Sequence, residues 1–186
     1  MNAKVQIQFP EQLVPLYRAI KMIDAYSLAF STTTQIQVLI SCISKETFRI
    51  KDLEQKNSAV PHSFTVLESL ISIAENLAAD YCNIFDVEHD KYKNGLNNSN
   101  IQYDAGDLLE PYGLAHEVST WLSTLIYQMK DELITVKKSS TALCDAVFTG
   151  LENLINIADY LSDNHRNTFK IEFEKYEAEW EASKNG

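Results

Sequence analysis

The sequence predicts an all-α protein, an elongated four-helix bundle built from two duplicated antiparallel helical hairpins. Two observations predict it. Residues 64–92 recur 84 positions later as residues 148–176, with 14 of the 29 positions identical, whereas unrelated chains match at roughly one position in fifteen. The chain also has only five Gly and four Pro among 186 residues, and long helices need fewer of these turn-forming residues than sheets and loops do.

A second match, at an offset of 86 residues, extends the repeat towards the N-terminus and places Tyr26 on Tyr112. A period near 85 residues that occurs twice indicates two fused hairpins, and such copies pack about a pseudo-two-fold axis. We therefore expect a single domain spanning residues 1–186. Its parts are repeat 1 at about 17–92, repeat 2 at about 103–176 and a C-terminal helical extension at 177–186.

The N-terminal arm has a strand-like pattern before the first helix. Val5, Ile7 and Phe9 alternate with polar residues as far as Pro10, which is typical of a short strand. Residues 6–9 (QIQF) also resemble residues 100–103 (NIQY). One prediction is thus a two-stranded β element joining the arm to the inter-repeat linker, with residues 101–103 as the second strand. The alternative is an extended arm packed on the bundle.

The first hairpin is predicted from apolar spacing. Its first helix runs from about residue 11 to residue 52, and the Ser and Thr run at residues 31–34 is a candidate bend or break, since these side chains compete for backbone hydrogen bonds. A Thr-x-x-Glu box at Thr65 is a possible helix start. Apolar periodicity begins earlier, so we place the start of the second helix near Ser58.

The second hairpin follows the same pattern. Its first helix is expected to begin at Asp107 as the N-cap, with Pro111 near the first turn, and to end near Lys137. Its second helix has a Thr-x-x-Glu box at Thr149, but earlier apolar spacing places the start near Ser140. Residues 88–101 are predicted to connect the two repeats, because they contain the turn-rich run NGLNNSN.

Charge is distributed unevenly along this acidic chain. The net charge is −10, with +3 on residues 1–51, −7 on residues 52–90 and −5 on residues 104–132. Phosphates would be repelled, so direct binding of nucleic acid is not expected. Ordinary solvated helix faces explain the acids more simply than mimicry of DNA does.

Composition also bears on the cellular compartment. No run of about 18 apolar residues, as a membrane span requires, and no basic segment followed by an apolar one occurs in the sequence. Cys42, Cys82 and Cys144 are odd in number and far apart, so we expect reduced, buried thiols. These features predict a cytoplasmic protein that does not contact a membrane.

Catalytic, metal and nucleotide motifs are absent from the sequence. A di-iron bundle needs Glu-x-x-His pairs, but the nearest match is Asp86-x-x-His89, whose histidine aligns with Phe173 in the second repeat. The glycines form no phosphate-binding loop, and neither nucleophile elbows nor Cys-x-x-Cys pairs occur. We therefore predict no metal and no cofactor, and favour a non-enzyme over an enzyme.

Several polar residues are identical in both repeats. Glu88 with Lys91, and Glu172 with Lys175, have the spacing of surface ion pairs on a helix. The shared tyrosines are expected to bury their rings and keep their hydroxyls at the rim. The functional alternative for Tyr26 and Tyr112 is a small pocket between the hairpins.

An aromatic stripe marks the end of the last helix. Phe169, Phe173, Tyr176 and Trp180 follow one another at spacings of four, three and four, so they share one helix face. If this face extends beyond the rest of the bundle, it is a candidate protein interface and a site of self-association. The alternative is that the stripe folds against the first helix or the N-terminal arm.

The sequence thus favours a non-enzymatic helical protein that binds another protein and forms a homo-oligomer such as a dimer. A bundle that binds a small molecule or performs catalysis between the hairpins, near Tyr26 and Tyr112, is the alternative. An acidic mimic of DNA is the third hypothesis.

Overall fold

The structure is a computed structural model, and it describes residues 16–59, 62–95, 101–140 and 142–184. Within these residues a two-residue strand β1 (Tyr17–Arg18) leads into helix α1 (Ala19–Asn57), which is followed by α2 (Thr65–Gly95). Strand β2 (Gln102–Tyr103) then leads into α3 (Ala105–Ser139). A short 3-10 helix (Asp145–Phe148) precedes the last helix, α4 (Thr149–Lys184).

The four long helices of the described chain form the predicted all-α bundle. The helices α1 and α2 pack along each other, as do α3 and α4, and contacts of α1 with α3 and α4 and of α2 with α3 join the two hairpins. The side chains of the core come from all four helices and from Phe64 and Phe148 just before α2 and α4. At 39 residues, α1 is about 58 Å long, so the bundle is elongated.

The β element has a different first strand from the predicted one. Strand β2 pairs antiparallel with β1, placing Tyr17 opposite Tyr103 and Arg18 opposite Gln102. The expected partner of residues 101–103 was residues 6–9, which lie outside the described residues. The two-residue strand β1 has no alternating pattern of its own, so only the fold brings it beside β2.

Helix α1 runs without a break through the Ser and Thr run at residues 31–34. The Thr32 hydroxyl donates to the carbonyls of Leu28 and Ala29, and the Thr34 hydroxyl donates to that of Phe30. These hydroxyls therefore bond to the turn before them, and the backbone ladder continues. The helix was expected to begin at about residue 11, but residues 16–18 precede it.

Helices α2 and α4 begin at Thr65 and Thr149, so the predicted starts near Ser58 and Ser140 are wrong. The apolar periodicity that suggested earlier starts reflects burial rather than helix. Phe64 and Phe148 are completely buried, but they reach the core from the connections before the helices. Helix α2 also extends to Gly95, so it takes up the first eight residues, 88–95, of the segment predicted to connect the hairpins.

Helix α3 begins at a capping box. Asp104 is the N-cap, and its side chain accepts from the backbone N–H of Asp107 at 3.0 Å, while the Asp107 side chain accepts from the N–H of Asp104 at 2.9 Å. Asp107, the expected cap, is therefore the third residue of the helix. Pro111 lies inside the second turn and is buried.

Several contacts occur in pairs at the offsets of the sequence repeat. Lys51 binds Glu68 at 2.6 Å, and the corresponding Lys137 binds Glu152 at 2.5 Å. The predicted Glu and Lys pairs also form, with distances of 2.7 Å in α2 and 3.3 Å in α4. Two fused copies of one hairpin would produce such matched contacts, and the duplication itself stays a prediction.

Candidate functional site, an acidic and apolar surface on helices α2 and α3

The tyrosines proposed to line a pocket are packing residues. The ring of Tyr26 stacks on Tyr92 at 5.5 Å, and the ring of Tyr112 stacks on Tyr176 at 5.4 Å, both with an interplanar angle of 15°. Only 2% of Tyr26 and 7% of Tyr112 is exposed. Burial raises the pKa of both hydroxyls well above the usual range. Little of either side chain is available to a ligand.

The aromatic stripe of α4 packs against the chain itself. Phe169 and Tyr176 are buried, and Phe173 and Trp180 are half-buried against the core. Tyr176 is flanked by Tyr112 of α3 and, edge-on at 5.5 Å, by Tyr17. Of the two alternatives for the stripe, the structure favours the one in which it folds back on the chain, although the covering residues are in β1 and the first turns of α3. Its role as a protein interface stays a prediction.

Two glycines of α3 allow the aromatic stripe of α4 to pack close to α3. A Cβ atom at Gly106 would lie 3.0 Å from the ring of Trp180, and one at Gly113 would lie 3.0 Å from the ring of Phe173. These glycines are seven residues apart, so both are on the face of α3 that receives α4. The absence of their side chains provides the space for the two rings.

One group of possible metal ligands occurs among the described residues. Asp86, His89 and Asp90 have ligand atoms within 4.8 Å of one another on the surface of α2. Exposed acidic groups commonly cluster in this way on helices, and the aspartates are open to solvent. This group gives no specific reason to assign a metal.

A small polar cavity lies inside the bundle. Its volume is about 10 Å³, and it is lined by side chains from α1, α3 and α4, namely Thr32, Thr33, Ile36, Ser119, Leu122, Ser162 and His165. The Nε2 atom of His165 is buried without a hydrogen-bond partner in the described chain, and burial lowers the pKa of its imidazole. The space is too small for a substrate, and no carboxylate lines it.

The side of α2 that borders α3 carries a row of apolar residues. At spacings of four, three, four and seven, they are Val66, Leu70, Ile73, Leu77 and Ile84. Such spacings place them along one side of a helix. The two leucines pack partly against the core, whereas Ile73 is 54% exposed. Tyr81 lies four residues after Leu77, on the same side of α2. Its ring is 6.0 Å from that of Trp121 in α3, so this side of α2 borders α3.

The facing side of α3 places Trp121 in line with acidic residues. Glu110 and Glu117 precede Trp121 by eleven and four residues, and Glu132 follows it by eleven. The tryptophan and the three glutamates therefore lie on one side of the helix. Trp121 is 40% exposed. On α2, Asp80 lies seven residues after Ile73, which places it on the side that carries the apolar row.

The α2/α3 patch consists of the exposed apolar residues Val66, Ile73, Ile84 and Trp121. The acidic rim consists of Asp80, Glu110, Glu117 and Glu132. No rim residue forms an ion pair with any residue that the structure describes.

The groove between α1 and α4 occupies the corresponding place in the other half of the bundle, and its composition differs. At the positions related by the repeat offsets, Gln35 stands for Trp121 and Ser31 stands for Glu117. In α4, Asn164 and Thr168 stand for Asp80 and Ile84. The tryptophan and two of its neighbouring acids therefore occur in one groove and not in the other.

Sequence reasoning missed this surface, although its components were visible. Trp121 lies in the predicted third helix, and Ile73 lies in the predicted second helix. The available signal was the difference between the repeats, because Trp121 aligns with glutamine. The contact between Tyr81 and Trp121 arises only when α2 and α3 pack together.

The cysteines do not form a site. Cys82 is buried 3.5 Å from the Thr34 hydroxyl, and burial raises the pKa of its thiol. Cys42 is half-buried and Cys144 is exposed, so the expectation of three buried thiols is wrong for Cys144.

Comparisons with known proteins add no functional assignment. No protein-family model, curated protein or solved structure matches the chain. None of the described helices combines the length and the apolar character that crossing a membrane requires.

Proposed function

We propose that this chain is a non-enzymatic binding protein whose α2/α3 patch docks another protein chain. The observation that carries the proposal is the exposed Trp121 ring, packed against Tyr81 in an apolar surface between two helices. Tryptophan and tyrosine are enriched at the positions that contribute most to protein interfaces. Because Tyr81 already supports the ring, docking costs little additional side-chain entropy.

The identity of the chain that docks is an outcome of the experiment. A photo-crosslinking amino acid is introduced at Ile73 of the full-length protein in its own cells. The matched control carries it at Ile157, which lies 84 residues later on α4 and is 48% exposed, against 54% for Ile73. We expect a protein adduct from position 73 and only background from position 157.

The adduct mass separates the forms of the proposal. An adduct of twice the chain mass indicates self-association through the α2/α3 patch, and any other mass indicates a different protein. In either case, a Trp121→Ala change should reduce the yield, whereas a Gln35→Ala change at the corresponding position of α1 should not. Equal yields at positions 73 and 157 would remove the basis for the proposal.

A further inference from the structure

We propose that the occupant of the α2/α3 patch is an amphipathic helix of a different protein, with Lys or Arg along the edges of its apolar face. The inference rests on the proposed function and adds the chemistry of the partner. Three features support it: the charges of the rim, the way the bundle pairs three other acids, and the length of the patch.

The acidic rim places carboxylates around the patch that are in no ion pair within the described chain. Asp80, Glu110 and Glu117 are exposed, and Glu132 is half-buried. Lys91 of α2 is close enough to Glu110 for electrostatic attraction, but its ammonium binds Glu88 at 2.7 Å. A docking chain with basic edges would place its cations against the rim, and complementary charge of this kind determines specificity and the rate of association.

Elsewhere in the bundle, three acids beside helix contacts are paired with lysines from the adjoining helix. Lys51 of α1 binds Glu68 of α2, Lys130 of α3 binds Asp159 of α4, and Lys137 of α3 binds Glu152 of α4. These three pairs lie within the hairpins. The rim acids also border a contact between helices, yet they have no ion-pair partner in the described chain. A basic helix in this groove would complete the same pattern.

Charge also disfavours two other occupants. A second copy docked through the same patch about a two-fold axis would bring the two acidic rims together, and each copy has a net charge of −10. Like charges placed opposite each other at an interface oppose association. Nucleic acid would meet the same carboxylates with its phosphates.

The length of the α2/α3 patch suits a helix. Val66 and Ile84 mark an exposed apolar side of α2 about 27 Å long, beside the facing row of α3. A helix of about five turns would cover this length. Amphipathic helices bind such grooves through anchors at spacings of three, four and seven residues, and Trp121 lies beside α2, in line with the rim glutamates of α3.

The first test uses two labelled helical peptides of about 18 residues, with the same leucine face and with either lysine or glutamate along its edges. Fluorescence anisotropy with the full-length protein should detect binding of the lysine peptide that weakens as salt is raised from about 50 mM to about 500 mM. Equal binding of the two peptides, or binding of neither, would overturn the inference.

A matched pair of variants localises the effect to the rim. The rim variant is Asp80→Asn with Glu117→Gln. The control variant, Asp24→Asn with Glu177→Gln, removes the same charge from exposed acids of α1 and α4 that have no ion pair with a described residue. We expect the rim variant to weaken binding of the lysine peptide about fivefold or more. Equal weakening by both variants would indicate attraction to net charge alone, which contradicts the inference.

The crosslinking experiment separates failure of the inference from failure of the proposed function. No adduct at position 73 above that at position 157 would contradict the proposed function and the inference together. An adduct whose yield is the same in the rim variant and in the wild type would contradict the inference alone. An adduct of twice the chain mass would do the same, since the partner would then be a second copy. A heterologous adduct that the rim variant reduces and the control variant leaves unchanged supports both.

Discussion

The buried carboxylate of Glu54 accepts a hydrogen bond of 2.5 Å from the hydroxyl of Ser140. Glu54 lies in the last turns of α1, and Ser140 is the residue that follows α3. The two residues are 86 positions apart, which is the offset that relates Tyr26 to Tyr112 in the N-terminal part of the sequence repeat. Two residues that are related by a pseudo-two-fold axis can contact each other only near that axis. If the predicted axis relates the two hairpins, it passes close to this pair.

Removing the hydroxyl should destabilise this end of the bundle. Ser140→Ala leaves the Glu54 carboxylate buried without this donor, and we expect a loss of about 1 to 3 kcal/mol in the free energy of unfolding. The control is Ser139→Ala, where an exposed hydroxyl donates only to the carbonyl of Thr135. Urea unfolding of both variants checks the prediction, and equal losses would contradict it.

The stacked tyrosines should contribute to the stability of the fold through their rings rather than their hydroxyls. Tyr26→Ala creates a large cavity beside Tyr92, and we expect a loss of about 3 to 5 kcal/mol in the free energy of unfolding. Tyr26→Phe keeps the stacked ring and should change that free energy by less than about 1 kcal/mol. Thermal or urea unfolding distinguishes the two variants. A large loss with phenylalanine would give the hydroxyl a role that packing does not require.

Phe173 should affect stability rather than oligomeric state. Its ring is half-buried against Gly113, so Phe173→Ala should lower the free energy of unfolding by about 2 kcal/mol or more. Ile171→Ala, at an exposed position on the same helix, should change it by less than about 0.5 kcal/mol. Sedimentation measures the mass of each variant. A fall in mass without a loss of stability would support the interface hypothesis for the stripe.

His165 should make stability depend on pH. Burial lowers its pKa in the folded state, so the folded protein binds fewer protons here than the unfolded chain, whose histidine titrates near 6.5. Its contribution is therefore present above about pH 6.5 and is lost as the pH falls through the lowered folded pKa. The residues around the cavity from α1 and α3 are uncharged, and Asp163 and Arg166 beside it on α4 pair with each other at 3.0 Å.

The variant that checks this is His165→Leu. Urea unfolding between about pH 5 and pH 7.5 should show a smaller loss of stability at the acidic end than in the wild type. A His116→Gln control should keep the wild-type pH dependence. Identical pH profiles for the wild type and the leucine variant would mean that another group is responsible.

Much of the fold follows from local patterns in the sequence. The apolar spacings predicted four helices, the repeat paired them into hairpins, and the Glu88 and Lys91 spacing predicted their ion pair. These features depend on residues close together in the chain. The starts of α2 and α4 were misplaced because periodicity reports burial, and Phe64 and Phe148 are buried although both precede the α-helices.

The candidate site depends on contacts between distant parts of the chain. Trp121 is forty residues from Tyr81, so no local pattern relates them. For the aromatic stripe of α4, the sequence left exposure and packing against the chain as two alternatives, because the matching part of the first repeat loses this pattern after Tyr92. Its burial depends on Tyr17, which lies in a strand of two residues, and on glycines of α3 whose role is to leave space.

The position of Tyr17 has a consequence for the order in which the protein folds during synthesis. Tyr17 packs on Tyr176, and its hydroxyl donates to Glu179. Strand β1 therefore contacts two residues of the last helix, Tyr176 and Glu179. Bringing these distant parts of the chain together closes a long loop, which is entropically costly. A growing chain can form the stack of Tyr26 on Tyr92 early, but Tyr17 cannot pack on Tyr176 until most of α4 has left the ribosome.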